Sequence, residues 1–348
     1  MSKGTVAIGM SGGTDSTVAA YLLQQQGYNV IGFTLKLWDD SSRCCSKMDL
    51  YDARVIAKKF GFPHYTVELN KLFKKEVIDY FINEYINGRT PNPCVVCNKQ
   101  IKFDFVFTDN LPFSYDFIAT GHYAKIKKIE NNLFFAQAKD LKKSQEYFLA
   151  RVNKKYLDRI LFPLSDYTKD EVREILKSLN INLNKKESQE LCFINNNEKH
   201  YEFILKNMTK GDFSGDIINK EGKVLGTHSC YFKYTIGQRQ GLGISDSTPY
   251  YVIGIDSKNK NVIVGKKEDT FSNRLITDKL YWYKDNVPKE IKAKVKIRYN
   301  HRGAEAVIRL IDNGRAEVIF DEPQHAVTSG QLAVFYDNDI VIGSGWIV

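Results

Sequence analysis

Residues 6–23 read VAIGMSGGTDSTVAAYLL, and this stretch limits what the chain can fold into more than any other. Val6, Ala7 and Ile8 form an apolar run with a β-branched residue at each end. Ser11-Gly12-Gly13-Thr14-Asp15-Ser16 follows, and then Val18, Ala19, Leu22 and Leu23 fall at helical spacing. The spacing predicts a buried strand, a glycine-rich turn and a helix. Gly12 and Gly13 let backbone N–H groups approach an anion, and the helix N-terminus presents the positive end of its dipole to it. Ser11, Thr14 and Ser16 offer hydroxyls to the same anion. Asp15 would repel a phosphate, so its place is explained as a ligand for a phosphate-bridging Mg²⁺. A capped surface turn is the plainer reading, but it requires neither the glycine pair nor three hydroxyls. No Gly-Lys-Ser/Thr follows the glycines, so this is not a Walker A loop.

SGGTDS resembles the PP-loop of ATP pyrophosphatases, which bind the pyrophosphate part of ATP and adenylate a substrate oxygen. The residues that follow predict the rest of such a domain. Residues 28–37 (YNVIGFTLKL) read as a second buried strand, so the start of the chain is a βαβ unit with a parallel sheet. Ligands of such sheets sit beyond the carboxyl ends of the strands, where Thr34, Leu35 and Lys36 fall. An amphipathic helix at 48–60, a strand at 62–69 and a helix at 72–86 continue the pattern. A strand at 117–124 ends in Gly121-His122-Tyr123. Thr168 and Glu171 make a capping box for a helix over 168–179.

Residues 88–103 (GRTPNPCVVCNKQIKF) are the second informative stretch. Two prolines two residues apart predict a shaped loop rather than a helix. Cys94 and Cys97 stand in it as a CxxC pair. Arg89, Lys99 and Lys102 add positive charge, which favours thiolate. A redox, sulfur-transfer or metal role is expected. Cys192, between Leu191 and Phe193, reads either as a buried inert thiol or as a partner of Cys97; periodicity leaves both open. Cys44 and Cys45 are adjacent, and a structural or incidental role is expected for them.

Beyond about Met208 the segments become short, β-rich and punctuated by glycine. Residues 219–222 and 256–261 read as hairpin turns. Strands at 291–299, 304–311, 316–320 and 331–336 predict a small β-barrel. The expected division is 1–207, an α/β catalytic domain; 208–270, a central β-rich domain; and 271–348, a C-terminal β-barrel. The net charge of +9 favours a polyanionic partner, nucleic acid before membrane. No apolar run nears the ~18 residues of a membrane span, and no signal-peptide layout opens the sequence. A cytoplasmic protein with its six cysteines reduced is therefore expected.

Taken together, GMSGGTDS (9–16), the loop at 88–103, ATGHYA (119–124), SQEYFL (144–149), ELCFI (190–194), YTIGQRQGLGI (234–244), KIRY (296–299) and SGQLAVFYD (329–337) resemble the tRNA-specific 2-thiouridylase family. The resemblance runs end to end. It implies ATP-dependent 2-thiolation of the wobble uridine at tRNA position 34. ATP contacts are implied for Gly9, Met10, Ser11, Gly12, Gly13, Thr14, Asp15, Ser16, Leu35 and Gly121. Cys97 is the implied nucleophile and Cys192 the persulfide carrier. Asn92, Pro93 and Cys94 are implied against the target base, and His122, Lys143, Ser144, Gln145, Arg298, Tyr299 and Gln331 against tRNA. ATP, Mg²⁺, the anticodon region of tRNA and a persulfide donor or relay protein are the implied cofactors and partners.

The chain departs from the family pattern at several positions. Cys94 stands where Asp is frequent, Ser144 and Glu146 replace a usual Asp and Ser, and Cys230 replaces a glycine. Cys94, Cys97 and Cys192 open a second route, a [4Fe–4S] cluster with one open iron. Another ATP-dependent PP-loop ligase acting on RNA is the remaining alternative.

Overall fold

The computed structural model describes residues 2–38, 47–108, 110–183, 191–195, 197–208, 211–311 and 314–348. The chain divides into two compact units. One comprises Met1–Val77, Cys94–Asn196 and Asp339–Val341; the other comprises Ile78–Pro93, Asn197–Asn338 and Ile342–Val348.

The first unit is built on a parallel sheet. β1 (Thr5–Gly9) pairs in parallel with β2 (Asn29–Lys36), from Thr5↔Asn29 to Gly9↔Phe33, and β2 pairs with β3 (His64–Glu68). On the other side of β1 lies β4 (Phe117–Ala119). A β-hairpin, β5 (Lys125–Ile129) and β6 (Asn132–Ala136), comes next in the chain, and β7 (Ile160–Leu161) then completes the sheet beside β4. The order β3-β2-β1-β4-β7 runs outward from β1 and then returns across it. The switch point, where such sheets bind ligands, is therefore between β1 and β4. Val6, Ala7 and Ile8 are fully buried, as their apolar run predicts for a strand covered on both faces. Helix α1 (Thr14–Gln25) buries Val18, Ala19, Leu22 and Leu23 against this sheet. Helix α2 (Lys47–Phe60) buries Ala53, Ile56 and Ala57. The expected capping box is present: Glu171 N–H donates to Thr168 Oγ1 (3.3 Å), and Thr168 N–H donates to Glu171 Oε2 (2.6 Å).

The second unit holds two β assemblies. β8 (Gly215–Ile218) and β9 (Val224–His228) form one antiparallel hairpin, and β10 (Tyr251–Asp256) and β11 (Asn261–Gly265) another. Both turns fall where the sequence places them. β12 (Phe271–Trp282), β13 (Glu290–Lys296), β14 (Ala304–Leu310), β15 (Ala316–His325), β16 (Leu332–Asp337) and β17 (Ile340–Ile347) follow. Their order is β12-β15-β14-β13-β16-β17, and β17 pairs back onto β12. That pairing closes an antiparallel barrel and removes its edges. The α/β class, the central β-rich region and the C-terminal barrel are as expected. The twelve-residue β12 and the closing β17 were not among the strands expected from alternation. The adjacent pair Cys44-Cys45, and residues 185–190 ahead of Cys192, lie outside the described residues.

Candidate active site

β1 delivers the glycine-rich loop to the switch point. Gly12 adopts φ +66°, and a Cβ there would lie 2.6 Å from the Asp49 carbonyl oxygen, so no side chain fits. Gly13, in extended conformation, caps α1 without any side-chain hydrogen bond, which leaves the first-turn N–H groups to a ligand. Ser16 Oγ accepts from Ser11 N–H (3.2 Å) and donates to Gly13 O (3.1 Å). Across the switch point, a Cβ on Gly121 would lie 2.8 Å from Ser16 N. The segment after β4 therefore backs onto the loop only because residue 121 is glycine. Backbone donors, hydroxyls and an open helix N-terminus are the donor set that a polyphosphate needs.

Asp15 has two partners that no motif in the sequence marks. Its carboxylate oxygens lie 2.7 and 2.9 Å from Lys169 Nζ, and Tyr123 Oη donates to Oδ1 at 2.9 Å. A lysine ammonium offsets the carboxylate's charge within the phosphate loop. Among the described residues no group of three His, Cys, Asp or Glu side chains is placed to hold a metal. Lys169 opens a capped helix 154 residues away, and no local spacing in the sequence marks it.

A second brace lies beneath the loop. Thr34 Oγ1 is 2.7 Å from Met10 O and 2.8 Å from His64 Nε2. The hydroxyl has one proton and gives it to the carbonyl, so His64 donates through Nε2–H and Nδ1 is unprotonated. Nδ1 is buried without a partner, and burial, aided by Arg54, holds the imidazole down at about 4. Leu35, next along β2, is buried.

The cysteine stretch is more helical than its prolines suggest. Pro93 starts a short helix, Pro93–Val96, where its missing N–H costs nothing. A nine-residue π-helix, Cys97–Phe105, continues it. The expected irregular loop ends at residue 92. Cys97 is buried, Cys192 half-buried and Cys94 exposed. Cys94 keeps solvent access although protein crowds round it. That crowding first, and the neighbouring Cys192 second, push its thiol up to about 11, while Lys102 pulls it down. The three thiols do not form a metal-holding group. His122 bonds Thr120 Oγ1 through Nδ1 (2.7 Å), and burial, with Lys102, keeps it neutral.

Residues 143–145 are pinned internally. Gln145 N–H donates to Tyr123 O (2.7 Å), and Gln145 Oε1 accepts from Tyr123 N–H (3.0 Å). Lys143 is half-buried and its N–H donates to Asp140 O. Ser144 is buried: its hydroxyl accepts from Ala138 N–H (2.9 Å) and donates to the fully buried Glu146 (2.5 Å).

In the second unit, residues 89–92 are clamped. Arg89 pairs with both oxygens of Glu84 (2.7 and 2.5 Å), and Thr90 N–H donates to Ser329 O (2.9 Å). Gln331 Nε2 donates to Thr90 O (2.9 Å) and Pro91 O (3.2 Å). Asn92 and Pro93 are buried. Arg298 donates to His325 O (3.0 Å), and Tyr299, next to it, is partly buried. Along β13, Lys292, Lys294 and Lys296 alternate with buried Ala293 and Val295, and so share one outward face.

Three family models match the chain: "tRNA methyl transferase HUP domain" over residues 4–196, "tRNA methyl transferase PRC-barrel domain" over 201–266 and "Aminomethyltransferase beta-barrel domain" over 272–347. A tRNA-specific 2-thiouridylase MnmA 2 of Clostridium botulinum Langeland is 43% identical over 100% of this chain and 99% of its own. The chain belongs to the tRNA-specific 2-thiouridylase family. The MnmA proteins of Clostridium acetobutylicum and Clostridioides difficile are each 43% identical over 98% of the chain, covering 99% and 97% of their own lengths. Of the residues that support the loop, Lys169 and His64 carry no mark in the sequence, while Thr34 and Tyr123 are marked only by their places at strand ends. No described helix is long and apolar enough to cross a membrane.

Proposed function

We propose that this chain is a tRNA-uridine 2-sulfurtransferase that thiolates the wobble uridine, position 34, of tRNA in the cytoplasm. The observation that carries the reading is the combination, in one unit, of a polyphosphate-type loop with Cys94, Cys97 and Cys192. A uracil C2 carbonyl is a poor electrophile. Adenylation of its oxygen by ATP, delivered with Mg²⁺, releases pyrophosphate and makes AMP the leaving group. The loop at 9–16, with Leu35 and Gly121, would hold the nucleotide, and Lys169 would keep Asp15 from opposing it.

Sulfur then replaces AMP at C2. A persulfide on Cys192, loaded by a donor or relay protein, supplies the sulfur. Cys97 thiolate attacks the Cys192 sulfur, the S–S bond of the persulfide breaks, and a Cys97–Cys192 disulfide remains for an external dithiol to reduce. The target base must leave the anticodon stack, with Asn92, Pro93 and Cys94 against it. His122, Lys143, Gln145 and Tyr299 remain candidates for tRNA contact, and Lys292, Lys294 and Lys296 for its phosphates. Ser144, Arg298 and Gln331 would act through the backbone groups they hold. The methyl-transfer wording of the family models fits poorly, since methyl transfer has no use for an adenylating loop and paired thiols. Mass spectrometry of tRNA nucleosides tests the reading: deletion of the gene removes 2-thiouridine at position 34, whereas an unchanged 2-thiouridine level rejects it.

A further inference from the structure

The segment 234–244 holds no cysteine and no phosphate loop, and the chemistry proposed above leaves it without a part. Its surroundings in the second unit give it one. The helix Asp79–Ile86 leads into the residues assigned to the target base, and its last carbonyls need partners from beyond the helix. Those of Asn83, Glu84 and Tyr85 accept from the N–H groups of Asn87, Arg89 and Gly88, at 3.0, 2.9 and 3.0 Å. The Ile86 carbonyl accepts instead from the hydroxyl of Tyr231, 145 residues away, at 2.7 Å. Tyr231 is buried and opens the one-turn helix Tyr231–Lys233, directly ahead of the segment.

Further along, the segment meets the turn that precedes the clamp on residues 90 and 91. Gly237 adopts φ +89°, and a Cβ on it would lie 2.6 Å from Ala326 Cβ. The glycine is fixed there: its N–H donates to Val252 O (2.8 Å), and Val252 N–H donates to Gln238 O (2.9 Å). Ala326 is itself held in the left-handed region, at φ +54°, a conformation that its surroundings must enforce. Its N–H donates to Thr270 O (2.8 Å), its carbonyl accepts from Thr328 Oγ1 (2.9 Å), and Arg298 donates to the preceding carbonyl (3.0 Å). Just beyond Ala326 come Ser329, whose carbonyl takes Thr90 N–H, and Gln331, whose amide takes the Thr90 and Pro91 carbonyls. We propose that Tyr231–Gln238 is a brace between these two holds on residues 86–91, with Tyr231 and Gly237 as its positioning residues. It sets where Asn92 and Pro93 are presented, and only a residue without a Cβ lets it seat on Ala326.

The proposal rests on the assignment of Asn92 and Pro93 to the target base, and its test separates the two. Amide hydrogen exchange is followed over peptides spanning residues 84–93 in resting full-length protein, without tRNA or ATP. Thiolation is then measured as kcat and as KM for tRNA. Gly237→Ala drives a methyl group into Ala326 and should speed exchange in these peptides about tenfold. Its kcat should fall about tenfold, with KM for tRNA unchanged. Ala326→Gly removes the opposing methyl and suits φ +54°, so the double variant should return toward the parent in both measurements. Tyr231→Phe keeps the ring, takes the donor from the Ile86 carbonyl and should show the same two changes, which serves where Gly237→Ala does not fold. Parental exchange in Tyr231→Phe, or in a folded Gly237→Ala, overturns the brace. So does a double variant that recovers nothing. A raised KM with kcat kept means that the segment touches tRNA itself, and overturns it too. Faster exchange with parental kcat upholds the brace and rejects the assignment of Asn92 and Pro93.

Discussion

Lys169 Nζ lies 2.7 and 2.9 Å from the two carboxylate oxygens of Asp15, and this pair joins the phosphate loop to a helix that begins 154 residues later. The lysine side chain is largely buried, while Asp15 is partly open. A substrate polyphosphate arriving at the loop therefore meets a neutralised carboxylate. Among the described residues, Lys169→Met leaves Asp15 with the Tyr123 hydroxyl as its remaining side-chain partner. Pyrophosphate release in the presence of tRNA should fall about a hundredfold, while Asp15→Asn/Lys169→Met should recover part of the loss. A single Lys169→Met variant with parental rates would disconnect the pair from catalysis.

His64 makes the loop sensitive to acid. Its folded-state proton affinity is depressed, from 6.5 to about 4, chiefly by burial. The unfolded chain binds the proton more readily, so stability is full above about 6.5 and is lost as pH falls toward about 4. Protonation would add an N–H at the buried, partnerless Nδ1. Thermal melting between pH 7 and pH 5 should drop more steeply for the parent than for His64→Gln. Parallel melting curves would contradict this role.

Much of this architecture was legible in the sequence because it rests on local signals. The strand, glycine turn and α1 follow from residues 6–23, and the capping box at Thr168 from two residues. Cys94–Cys97 was visible as a pair, but its helical setting was not. A proline breaks a helix from within but starts one from its first position, as Pro93 does, and sequence alone does not tell which applies. The Asp15–Lys169 and Thr34–His64 contacts were invisible for a different reason: they are set by how strands and helices pack, and no period in the sequence records that.

Ser144 and Glu146 exchange the positions of a carboxylate and a hydroxyl relative to the pattern usual in the family. In this chain the two form a buried hydroxyl–carboxylate bond of 2.5 Å. Glu146→Ser leaves two hydroxyls in a space shaped for a carboxylate and should cost about 1–3 kcal/mol. Ser144→Asp alone sets two carboxylates together and should cost as much. The double variant restores one acid and one hydroxyl, and its stability should return toward the parent in a double-mutant cycle. Additive losses would show that the two side chains are not coupled.

Gln331 holds the carbonyls of Thr90 and Pro91, just ahead of Asn92 and Pro93. Gln331→Glu removes the donors while keeping the shape. Thiolation should slow about tenfold, because the residues assigned to the target base are no longer fixed, with little change in tRNA affinity at the level of binding. If affinity falls and the rate at saturation does not, Gln331 contacts tRNA directly instead.

The central claim is that ATP-driven activation and cysteine-borne sulfur meet on one uridine. The most direct measurement is a single turnover with purified, iron-free protein, tRNA, ATP and a persulfide donor, without added dithiol. Expected are 2-thiouridine, AMP and pyrophosphate in equal amounts, with one Cys97–Cys192 disulfide found by peptide mapping for each uridine converted. Cys97→Ser and Cys192→Ser should each abolish the product. Thiolation that appears only when iron is restored, or that proceeds in either serine variant, would contradict the account.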